Sequence, residues 1–107
     1  MSRIEQLKDF LKESPEDSFL RFALAKEYEK SHQTERALAF FTQIANDDPE
    51  YVGLYYHLGK LYLNMGEVRK SFDTYTKGME VARSQDDKHA LSELVAARME
   101  IDEDELD

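Results

Sequence analysis

The stretch Tyr55–Tyr75, YYHLGKLYLNMGEVRKSFDTY, sets four tyrosines, one phenylalanine and two glycines among apolar and charged residues that alternate as in a helical hairpin. Gly59 is followed three residues later by Tyr62, and Ala25 is followed at the same distance by Tyr28. An offset of 34 residues therefore carries Leu24, Ala25 and Tyr28 onto Leu58, Gly59 and Tyr62, and the chain repeats itself.

The same offset separates the two prolines, Pro15 and Pro49, each of which discourages helical geometry in the residue before it and so marks a helix end. It also pairs Ala37 with Ser71, Leu38 with Phe72 and Phe41 with Tyr75. Extended backwards, it places Ile4, Leu7, Phe10 and Leu11 at the positions of Leu38, Phe41, Ile44 and Ala45. The first helix is then half a repeat. Physical chemistry explains the residue types. Two helices that cross closely need glycine or alanine at Ala25 and Gly59 so that a bulky neighbour can approach the backbone. Leu24, Tyr28, Leu58 and Tyr62, at helical spacing, fill the space between helices, and small residues at Ala37 and Ser71 receive the reciprocal contact. Gly66 suits a left-handed residue between helices, with His32 as its counterpart. Helices are expected near 2–13, 17–31, 34–47, 52–65, 68–83 and 87–101, with Asp17, Thr34 and Asp87 as N-caps.

In this pattern the chain resembles the tetratricopeptide repeats, whose signature W-x2-L-G-x2-Y…A-x3-F…P spans 34 residues. The two units read Arg21-x2-Leu24-Ala25-x2-Tyr28…Ala37-x3-Phe41…Pro49 and Tyr55-x2-Leu58-Gly59-x2-Tyr62…Ser71-x3-Tyr75. Departures are Arg21 in place of a large aromatic, Ser71 in place of alanine, and Arg83 where a second closing proline would stand. The resemblance implies an all-α, short right-handed α-solenoid of antiparallel helix pairs. It is expected as a single domain over 1–101, made of a half-repeat helix (2–15), repeat 1 (16–49), repeat 2 (50–83) and a capping helix (86–101). The capping helix turns Ala90, Leu91, Leu94, Val95 and Met99 to one side, with Lys88, Ser92, Glu93 and Arg98 around the others.

The remaining segment, 102–107, is an acidic tail and is expected to be frayed and solvated. From Glu100 onward the chain holds six acids and no base; removing those charges from the net −9 leaves the rest of the chain at −3. Neither part supplies the basic footprint that nucleic acid or an anionic membrane surface requires. The 107 residues are 35% charged and 41% hydrophobic, with mean hydropathy −0.69, as in a very soluble folded protein. No apolar run could span a bilayer, and MSRIEQLKDF has no secretory core, so a cytoplasmic location is expected. The absence of cysteine rules out disulfides, thiolate nucleophiles and cysteine-ligated zinc.

No phosphate loop, H-E-x-x-H pair or G-x-S-x-G elbow is present, and His32, His57 and His89 lack the acids of a catalytic set, so no enzyme, cofactor or metal is expected. The run Asp102–Glu105 lacks the glycine and closing glutamate of a calcium loop. The function expected from the resemblance is that of a scaffold or adaptor that binds a peptide or helix of a partner protein in its concave groove. The first helix of each hairpin would line that groove. Its residues, away from the packing stripe, are Phe19, Phe22, Lys26, Glu29 and Lys30, with Tyr56, Lys60, Leu63 and Asn64 as repeat-mates and His57 at the margin. Lys26 and Lys60 stand at equivalent positions, beside Phe22 and Tyr56. The paired asparagines of a carboxylate clamp are absent. A second reading is a self-assembling protein that forms homodimers through its terminal helices.

Overall fold

The computed structural model describes residues 1–106. Every regular element among them is helical: α1 (Arg3–Glu13), α2 (Ser18–Lys30), α3 (Thr34–Asp47), α4 (Gly53–Asn64), α5 (Val68–Ser84) and α6 (Lys88–Met99), followed by a single 3-10 turn, Glu103–Glu105. The helices fall into two compact units, Met1–Tyr51 and Val52–Asp107, which part close to the boundary between the two sequence repeats.

In the first unit α2 packs on both α1 and α3. Leu24, Ala25 and Tyr28 of α2 are buried with Ala37, Phe41 and Ile44 of α3, and Leu7 is the buried residue of α1. Arg21 occupies the place of the expected aromatic and is itself buried. Its Nε donates to the Pro15 carbonyl at 3.0 Å and its Nη1 to Asp47 Oδ2 at 2.8 Å, so the guanidinium ties the approach to α2 to the end of α3. Ser18 Oγ donates to Asp48 Oδ2 at 2.6 Å and closes the same end of the hairpin. A buried cation is tolerated here because it has both a carboxylate and a carbonyl to satisfy it.

In the second unit α5 packs on α4 and on α6, and α6 also meets α4. Glycine permits the closest approaches. A Cβ added at Gly59 would lie 2.3 Å from Cε1 of Tyr75, and one added at Gly78 would lie 2.4 Å from Cβ of Tyr55 and 3.0 Å from Cδ1 of Leu94. Ser71 Oγ donates to the Gly59 carbonyl at 2.7 Å, fastening the crossing from the other helix.

Three helix connections share one turn. His32, Gly66 and Asp86 are left-handed, with φ of 62°, 81° and 55°. In each case the next residue's N–H reaches back into the preceding helix: Gln33 to the Tyr28 carbonyl at 2.8 Å, Glu67 to Tyr62 at 2.9 Å and Asp87 to Ala82 at 2.9 Å. This is the closure that satisfies carbonyls at a helix end. The turns at His32 and Gly66 follow the repeat; the one at Asp86 does not, because α5 is 17 residues long where α3 has 14.

Four expectations are corrected. Thr34 is the first residue of α3 rather than its N-cap: Gln33 holds the capping position and makes no side-chain bond. Asp17 and Asp87 do cap, accepting from the N–H groups of Leu20 and Ala90, and Ser2 caps α1 by accepting from Glu5. The acidic tail is not frayed over Asp102–Leu106. Ile101 is buried, Asp102 accepts from the Asp104 N–H at 3.0 Å, and Arg69 Nη2 of α5 donates to the Leu106 carbonyl at 2.7 Å. Asp107 lies outside the described residues. On α6, Met99 is 78% exposed, whereas Arg98 turns inward, donating to Thr76 Oγ1 at 3.0 Å over the ring of Phe72. Arg98 lies one turn beyond buried Leu94, on the same stripe; Met99 ends the helix and has nothing to lie against.

Candidate surface strips on α2 and α4

Each unit begins its hairpin with a helix whose packing stripe leaves a second stripe outside the core, and all the expected site residues lie on those two helices. On α2, Phe19 is 65% exposed, Phe22 and Glu29 are half-buried, and Lys26 and Lys30 are exposed. Phe22 and Lys26 are one helical turn apart, and the ammonium stands 5.5 Å from the centre of the ring. The same ring packs edge-on against Phe41 at 6.0 Å and tilted against Tyr51 at 5.5 Å. Phe22 is thus anchored beneath and lies next to a charge.

On α4, Tyr56, His57 and Leu63 are half-buried, and Lys60 and Asn64 are exposed. Lys60 stands 5.6 Å from the Tyr56 ring centre, reproducing the geometry of Lys26 on Phe22, and His57 meets Tyr56 edge-on at 5.4 Å. A lysine over an aromatic face one turn away keeps its charge in water while its stem covers the ring. Such a pair offers an occupant both apolar area and a cation. Within each unit the structure brings the aromatic and the lysine together; Phe19, Lys30 and Asn64 lie at the ends of their helices, away from those pairs in sequence.

Tyr51 is the residue that periodicity missed. It follows Pro49 outside any helix, so no 3.6-residue rhythm marks it, yet it forms one wall beside Phe22. Burial raises its phenol above the usual tyrosine range, with the charges of Asp17 and Asp48 adding to the effect. Tyr75, in the core of the second unit, is raised chiefly by burial; a hydrogen bond with Ser71 works the other way.

Among the described residues no three His, Asp or Glu side chains come together as a metal-holding group, and no helix is long and apolar enough to cross a membrane.

No family model matches the chain. It is 46% identical to the tetratricopeptide repeat domain protein of Salinibacter ruber, whose crystal structure it matches with a TM-score of 0.77 over 79% of this chain and 94% of that one. It is 25% identical to a protein of Bordetella parapertussis solved in solution, with a TM-score of 0.81 over 94% and 88% of the two chains. A TPR repeat-containing protein of Pseudomonas aeruginosa is 27% identical over 99 residues, 92% of this chain and 94% of its own. The chain belongs to the tetratricopeptide repeat family. Membership points to a protein–protein interaction module, in a fold that is generally non-catalytic.

Proposed function

We propose that the protein is a non-enzymatic adaptor that holds an anionic peptide segment or helix of a partner protein on the strips of α2 and α4. One observation carries this reading: an aromatic with a lysine over its face, built twice at the same repeat position, Lys26 on Phe22 and Lys60 on Tyr56, at 5.5 and 5.6 Å. The half-buried rings supply desolvated contact of the kind that dominates binding energy, and the lysines supply attraction and register.

The test is the double reversal Lys26→Glu with Lys60→Glu, measured by calorimetry against the partner recovered from the native host. Exposed charges contribute about 0–1 kcal/mol to folding, so the melting temperature should stay close to parental. Binding should fall by a factor of about 100 or more, and parental affinity should weaken as salt rises. Unchanged affinity in the double variant would place the partner elsewhere on the molecule.

A further inference from the structure

Helix α1 matches the second helix of the repeat, and among the described residues it packs on α2, the first helix of the repeat that follows. Its outer face can be read by comparing it with the same positions in α3 and α5. Phe10 corresponds to Ile44, which is fully buried, and to Gly78, also buried; Phe10 itself is 60% exposed. Arg3 stands where α3 has Ala37 and α5 has Ser71, both inaccessible to solvent. An arginine there prevents the close crossing that Ala37 and Ser71 permit, so a covering helix of the repeat's own kind does not fit. Glu13 stands at the position of Asp47, whose carboxylate receives the Arg21 guanidinium from the helix that covers α3.

An occupant that matched this face would bring a carboxylate to Arg3, an arginine to Glu13 and an apolar surface to Phe10. Neither Arg3 nor Glu13 has an ion-pair partner among the described residues, and both are exposed. We infer that the occupant is a second copy of the chain, with α1 laid antiparallel on α1 about a two-fold axis near residue 8. An antiparallel pair centred there sets Arg3 of each copy opposite Glu13 of the other, since helical rise is uniform. It leaves the two Phe10 rings about 6 Å apart along the axis, close enough to pack on one another. Charge supports the assignment. The chain carries −9, so two copies repel over most of their surface, whereas α1 has three bases, Arg3, Lys8 and Lys12, against three acids, Glu5, Asp9 and Glu13. An isologous contact of this kind closes at two copies.

One helix per copy buries less than the ~1,200 Å² of a standard interface, so association is weak and is sought between ~10 µM and ~1 mM. Sedimentation equilibrium should show the average mass rising from 12.5 kDa toward twice that across the range. Phe10→Glu should hold the mass at the monomer value, as should Arg3→Glu, which places an acid in the first turn of α1 and so does not weaken the helix. The charge swap Arg3→Glu with Glu13→Arg should restore the rise. A parental chain still monomeric at the top of the range overturns the inference, as do growth beyond the dimer, a dimer indifferent to Phe10→Glu, or a swap that fails to restore it.

Discussion

Ile44 of α3 and Gly78 of α5 hold the same place in the two repeats and both are buried, yet one is bulky and branched and the other has no side chain. At position 78 the nearest obstacle is Tyr55 of the facing helix α4, and Leu94 of α6, the third helix of its unit, comes next. In the first unit α1 packs on α2; in the second, α6 packs on α5 and α4, bringing Leu94 to within 3.0 Å of where a Cβ at position 78 would stand. A second contrast runs through the helices facing them. Arg21, paired with Asp47, holds the place of Tyr55, and the residue matching Asp47 is Val81, buried without a charge. A tetratricopeptide hairpin thus keeps its crossing point, Ala25 or Gly59, under one rule, while its flanks are set by whichever helix arrives next.

Exchanging residues between the units tests that rule. Installing the first unit's residue in the second, Gly78→Ile, should have the largest effect. Its side chain meets Tyr55 backbone-proximal atoms that cannot yield, and overpacking at such a point costs about 3 kcal/mol or more. Thermal melts followed by circular dichroism read it directly; a variant as stable as the parent would mean that Tyr55 of α4 and Leu94 of α6 do not lie as close as described. A middle-sized effect is expected for Asp47→Val alone, which leaves the buried Arg21 guanidinium with only the Pro15 carbonyl and should cost about 2 kcal/mol. The pair Arg21→Tyr with Asp47→Val transplants the second unit's solution whole and should recover most of that loss in urea unfolding. If the double variant is worse than the single, the two positions are not exchangeable modules.

The smallest effect is confined to alkaline solution. Tyr75 matches Phe41 but has a hydroxyl, and its folded phenol titrates above the unfolded value near 10. A raised pKa contributes stability that is fully present below the unfolded value and is lost as pH rises through the folded one. Stability should therefore decline above about pH 10, and Tyr75→Phe should flatten that decline while leaving the neutral-pH melt nearly unchanged. Equal alkaline slopes in parent and variant would assign the loss to other tyrosines.

The 34-residue offset made the hairpins legible, because close crossings, left-handed turns and interhelical stripes each demand a residue type at a fixed spacing. His32 and Gly66 were readable as turns for that reason. Asp86 was not, since α5 overruns the repeat and places its turn outside the offset. Arg21 was visible only as a departure: its partner Asp47 lies 26 residues away, a distance no periodicity encodes. Of the surface strips, the lysine–aromatic pairs follow from one-turn spacing, whereas Tyr51 sits between helices and leaves no periodic trace. The acidic end is not legible in this way, because charge density argues for solvation, while the contact that orders it is made by a backbone carbonyl, that of Leu106, whose availability no side chain advertises.

The three tight turns at His32, Gly66 and Asp86 also bear on how fast the chain reaches this arrangement. Among the described residues the most closely packed pairs of helices within each unit are consecutive along the chain, α1 with α2, α2 with α3, α4 with α5 and α5 with α6, while α4 with α6 skips a neighbour. Little loop-closure entropy is spent before a contact forms, and topologies of that kind condense in about microseconds to milliseconds. Nascent hairpins can accordingly form while synthesis continues, at about 5–20 residues per second, so each helix meets its partner long before the next has emerged.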